Sequence, residues 1–136
     1  MNEDFVTYEQ AVKLKELGFD VPVNHYYKDN RLIEIYGNLS NYCNANEKYV
    51  AGCFSAPTLA QTQKWFMDKK HILISIRPND FINDSGNAEI HYTADIFGTS
   101  KGYLELLHSE SGYETYEFAL EDSINEALNI LETTKK

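Results

Sequence analysis

A chain of 136 residues, 43% of them apolar and 13% aromatic, can build a hydrophobic core without disulfides or a structural metal and is too rich in aromatics to stay disordered. Twenty-one acidic against twelve basic side chains leave a net charge of -9, which repels phosphate backbones and anionic lipid, so direct nucleic-acid binding and membrane attachment are not expected. Cys43 and Cys53 form neither a disulfide framework nor a zinc ribbon, and the start Met1-Asn2-Glu3-Asp4 is acidic where a secretory leader is basic, so reduced thiols in a cytoplasm are expected.

In chain order, Thr7-Tyr8-Glu9-Gln10 has the spacing of a capping box and predicts a helix carrying Ala11, Leu14 and Leu17 on one face, closed by Gly18. Residues 24–36 predict a hairpin turning at Asp29-Asn30, two residues that tolerate positive φ, which sets His25 opposite Glu34, Tyr26 opposite Ile33 and Tyr27 opposite Leu32. From Gly37 to Tyr49 the chain shows neither period and reads as a surface loop.

A second capping box, Thr58 with Gln61, follows Pro57 and predicts a helix running to about Lys70, with Leu59, Trp65, Phe66 and Met67 as its apolar contacts. Residues 71–76 predict a buried strand stopped by Pro78 and the polar run 79–87. In the strand that follows, Ile90, Tyr92, Ala94 and Ile96 take a core face and Glu89, His91, Thr93 and Asp95 a wet one.

Leu104, Leu106 and His108 continue that alternation. Paired positions should therefore sum to 198 or 200, and 198 is preferred because 200 sets Asp95 against Glu105. The last helix begins at Thr115, has a hydroxyl cap without the full box, and places Tyr116, Leu120, Ile124, Ala127, Leu128 and Leu131 on one face. These elements predict a single α+β domain over residues 1–136, an antiparallel sheet of about five strands with three helices in the order α-β-β-α-β-β-β-α.

Catalytic motifs are absent: no G-x-G-x-x-G, P-loop, G-x-S-x-G or H-E-x-x-H occurs, and a calcium-loop frame with its glycine at Gly86 would put Phe81 at the first ligand position. The four histidines, at 25, 71, 91 and 108, fall on four separate predicted strands, so no catalytic residue, metal ligand or cofactor is assigned. Two binding features stand out instead. Glu117 with Glu121, and Asp122 with Glu126, are like-charged i,i+4 pairs that cost an isolated helix a few tenths of a kcal/mol each, so local stability does not account for them. Asn41, Tyr42, Asn44, Asn46 and Tyr49 offer the mix of rigid aromatic area and adaptable hydrogen bonding found in binding loops.

Three stretches together resemble a group of uncharacterised small proteins of Bacteroides-type gut bacteria and their phages. They are residues 5–11 with 14–20, then Ala56-Pro57-Thr58-Leu59 with Gln61 and Trp65-Phe66, and Tyr113-Glu114-Thr115-Tyr116-Glu117 with the helix after it. The resemblance implies a phage or mobile-element origin and brings no reaction or cofactor. The expected function is a non-enzymatic interaction protein, contacting a host or phage protein through the acidic helix and the Tyr/Asn loop. The alternative is a binder of a small, nucleotide-type ligand in a pocket between sheet and helices.

Overall fold

The computed structural model describes residues 4–34 and 52–134. Among them are three helices, α1 (Tyr8–Glu16), α2 (Leu59–Lys70) and α3 (Tyr116–Thr134). Six strands accompany them: β1 (His25–Lys28), β2 (Arg31–Glu34), β3 (Cys53–Ser55), β4 (Ile72–Ile82), β5 (Ala88–Gly98) and β6 (Glu105–Tyr113). The class is α+β, but the strands form two antiparallel three-stranded sheets, β2-β1-β3 and β4-β5-β6, in place of the single five-stranded sheet expected. The chain divides into two compact units, Met1–Trp65 and Phe66–Lys136, the boundary falling inside α2.

In the first unit, α1 is fixed at both ends by its own sequence. Thr7 Oγ1 accepts from the Gln10 amide at 3.2 Å while Gln10 Oε1 accepts from the Thr7 amide at 2.8 Å. At the other end Gly18, at φ +88°, lets its amide reach the Lys15 carbonyl and the Phe19 amide reach that of Leu14, a closure only an unhindered left-handed residue permits cheaply. Thr58 and Gln61 repeat the reciprocal pair ahead of α2.

The β1–β2 hairpin has the expected register, with Asp29 and Asn30 at φ +52° and +60°. The third strand, β3, pairs with β1 on its other side and was not anticipated. At three residues, Cys-Phe-Ser, it is too short to show a period of two and lies just ahead of a capping signal. The Tyr27 hydroxyl donates to the Val6 carbonyl at 2.7 Å, and Tyr8 meets Tyr27 and Phe54 edge-on, so the aromatics knit α1 to this sheet. Val6, Ala11, Leu14, Phe19 and Val23 are buried, with Phe19 against Trp65. On α2, Leu59, Trp65 and Phe66 are buried as expected, whereas Met67 is exposed.

In the second unit, three expectations are corrected. Pro78 does not end β4, which continues to Ile82 and pairs along its whole length with β5. β4 is an edge strand, and an edge is where a residue without an amide hydrogen fits a sheet. Asn83 closes the β4–β5 hairpin, its Oδ1 accepting from the amides of Ser85 and Asn87 at 3.0 Å each.

The β5–β6 register is neither of the two expected. Ile96 faces His108 and Asp95 faces Ser109, whereas Phe97 faces Leu106 and Gly98 faces Glu105. The connection over 99–104 is wider than a tight turn, and a register shift at Leu107 moves Leu106 to the face of Phe97. Finally, the odd-numbered face of β5 is not wet throughout, since Thr93 and Asp95 are 3% and 9% exposed. The even-numbered face packs under α3, where Ala94 and Tyr113 meet Ala119, with Ile76 and Tyr92 against them. Leu120, Ile124, Ala127 and Leu128 of α3 are buried, while Tyr116 is exposed at the helix start and meets Tyr92 edge-on at 6.1 Å.

Candidate functional site

Two polar constellations lie on the β4-β5-β6 sheet, one on each face. On the odd-numbered face the side chains of β4 reach diagonally across β5. Arg77 Nε donates to Asp95 Oδ2 at 2.9 Å, the Asn79 amide nitrogen donates to Thr93 Oγ1, and Phe81 stacks on the His91 ring at 4.3 Å. Ser109 of β6 completes the row, donating to Asp95 Oδ1 at 2.6 Å, and Arg77 Nη1 also donates to Asn79 Oδ1.

The Ser109 hydrogen bond, with the Arg77 guanidinium beside it, holds the Asp95 carboxyl below the usual carboxylate range despite burial. Asn83 and His91 do the same for Glu89. Each charge in this row is answered within the row. Such a ladder fixes the pairing of the three strands and covers Thr93, and it offers a ligand little that is unspent.

The opposite face carries the acidic constellation. Tyr113, the last residue of β6, directs its hydroxyl between Glu110 Oε2 at 2.7 Å and Asp122 Oδ2 at 2.5 Å. Burial, then the two carboxylates that would repel a phenolate, raise its pKa well above the ordinary tyrosine value. His108 Nε2 lies 3.8 Å from Glu110. Beyond this cluster, Gly112, Tyr113, Glu114, Thr115 and Phe118 line an open hollow of about 430 Å³. Phe118 is 58% exposed, its ring 5.7 Å from that of Tyr113. The Thr115 hydroxyl accepts from the Phe118 amide at 3.1 Å, and this cap holds Phe118 on the first turn of α3.

The structure separates the four acidic residues singled out on α3. Glu117 is exposed on the first turn, Glu121 is half-buried, and Asp122 is half-buried and engaged by Tyr113. Glu126 lines a shallower hollow with Asn129, Ile130 and Thr133. Asn41, Tyr42, Asn44, Asn46 and Tyr49 lie outside the described residues. Sequence reasoning missed Phe118, Glu110 and Tyr113 as neighbours. Phe118 stands three residues after Thr115, where the other two helix starts carry Gln10 and Gln61, and Glu110 and Tyr113 share a face only because a register shift between them breaks the alternation of β6.

Among the described residues no three His, Cys, Asp or Glu side chains are arranged to hold a metal ion. His25 bonds Asn24 and meets Phe5, His91 bonds Glu89, and Cys53 is a buried free thiol. No described helix is long and apolar enough to cross a membrane. No family model, curated protein or solved structure matches this chain.

Proposed function

We propose that the chain is a non-enzymatic interaction protein of phage or prophage origin, acting in a bacterial cytoplasm by binding a basic host or phage protein through the acidic start of α3. The observation that supports this reading most is the exposed Phe118 ring, set beside exposed Glu117 and over a hollow rimmed by Glu114. An aromatic anchor with carboxylates around it matches the chemistry of arginine or lysine, whose stems pack on a ring while the charge seeks an acid. The same carboxylates disfavour the phosphates of a nucleotide at this hollow, so the protein partner is preferred to the small ligand.

The test is a pull-down from host lysate with the wild type and with a Glu117→Gln/Glu121→Gln/Glu126→Gln variant, Asp122 being left intact because Tyr113 depends on it. A partner retained at low salt, released by added salt and lost with the variant is expected. Equal recovery with both proteins rejects the acidic surface as the contact.

A further inference from the structure

The cluster of Glu110, Tyr113 and Asp122 has more close oxygen contacts than one phenol proton can fill. In a regular strand Glu110 and Tyr113 would point to opposite faces, but the register shift between them, with Gly112 at φ +91°, turns both to the α3 side. There the Tyr113 oxygen lies 2.7 Å from Glu110 Oε2 and 2.5 Å from Asp122 Oδ2. A phenol has one proton to donate, and an ionised carboxylate has none. With both acids ionised, two anions compete for that proton, and one contact is left without a hydrogen between its oxygens.

A second proton resolves the conflict, and the surroundings say where it belongs. The Glu110 side chain is 54% exposed and lies 3.8 Å from His108 Nε2, so its charge is met by solvent and, when His108 is protonated, by an imidazolium. Asp122 is half-buried, and no cation is paired with it among the described residues. Ile76 of β4 and Tyr92 and Ala94 of β5 pack against Tyr113 without bringing a charge, and Glu114, which shares the hollow with Tyr113, is a further acid.

We propose that the cluster is an acid-tightened clamp between β6 and α3. Asp122 Oδ2 takes a proton from solvent and donates it to the Tyr113 oxygen, while the phenol donates its own to the Glu110 carboxylate. Each contact then holds one hydrogen, and the cluster sheds one of its two negative charges. As pH rises the proton leaves, and Glu110, the more exposed acid, swings away and frees the bulge from the second turn of α3. The closed clamp binds one proton more than the open one, so falling pH favours closure, the reverse of the usual loss when a hydrogen-bonded carboxylate is protonated. The clamp stands whatever the acidic surface binds.

The test is backbone hydrogen exchange of the full chain at Gly112, Tyr113 and Glu114, corrected for intrinsic rates, with the amides of α1 as reference. Protection in the wild type is expected to be about fivefold greater at about pH 5 than at about pH 8. Asp122→Asn places an amide donor where the acid proton would sit, so its protection should match the wild type in acid and be the same at both pH values. Tyr113→Phe, with no oxygen to bridge the two acids, should be poorly protected at both.

Wild-type amides no better protected in acid overturn the clamp. So does a pH response that survives in Tyr113→Phe, or an Asp122→Asn variant that is loosened or unfolded at neutral pH.

Discussion

The Tyr113 hydroxyl lies 2.5 Å from Asp122 Oδ2, so the end of β6 is tied to the second turn of α3 through a single phenol proton. Glu110 approaches the same oxygen, and both carboxylates oppose its ionisation.

Tyr113→Phe removes hydrogen bonds to charged acceptors and should cost about 1–2 kcal/mol, measured by urea denaturation. The pH dependence follows from the raised pKa of Tyr113. The stabilisation is fully present below the unfolded tyrosine value of about 10 and is lost as pH rises from there toward the higher folded value. Ultraviolet titration should find one of the ten tyrosines resisting ionisation until the protein unfolds, and this resistant tyrosine should be missing from the Phe variant.

Asp95 has the opposite sign. Its folded pKa is depressed, so its contribution is present above the unfolded aspartate value of about 3.9 and disappears as pH falls through the folded value. Asp95→Asn should lower stability at neutral pH by about 2 kcal/mol and flatten the acid side of the pH–stability profile. A profile with unchanged steepness would show that the Arg77–Asp95–Ser109 row is not what acid disrupts.

At the β1–β2 turn, Asn30 sits at φ +60°. Asn30→Gly should hold or slightly raise the melting temperature, and Asn30→Val should cost about 1–2 kcal/mol because a β-branched residue is strained there. Thermal unfolding of the two variants separates turn strain from loss of the asparagine side chain.

The two complete capping boxes give a graded prediction. Thr7→Ala and Thr58→Ala should each cost about 1 kcal/mol. Thr115→Ala, whose hydroxyl bonds only the Phe118 amide, should cost less and should also weaken partner binding by loosening Phe118. Comparing the three by denaturation and by pull-down tells stability from recognition.

Where the sequence carried local instructions, the fold was legible in it. Thr7 with Gln10, Thr58 with Gln61, and Asp29-Asn30 each act within a few residues, and each appears in the structure as expected. What escaped depended on distant partners. β3 declares itself only by pairing with β1, Pro78 reads as a terminator until β4 is known to be an edge, and the β5–β6 register is set by the wider connection and by two shifts, at Leu107 and between Glu110 and Tyr113, that alternation cannot reveal. The candidate site was half legible for the same reason, since Asp122 could be named from charge spacing while Glu110, which meets the same Tyr113 hydroxyl, is brought there by a break in the alternation of β6.

The β4–β5 hairpin bears on how the second unit reaches its fold. Its strands run from Ile72↔Gly98 to Ile82↔Ala88 around the Asn83 turn, so each successive pair closes a loop only slightly longer than the last. The entropy of ordering is spent in small instalments, and zippering outward from Asn83 should be fast. β6 and then α3 are then expected to follow in chain order, each laid on a surface already formed. Substitution of Asn83 should therefore slow folding far more than it speeds unfolding, whereas changes at Tyr113 should do the reverse.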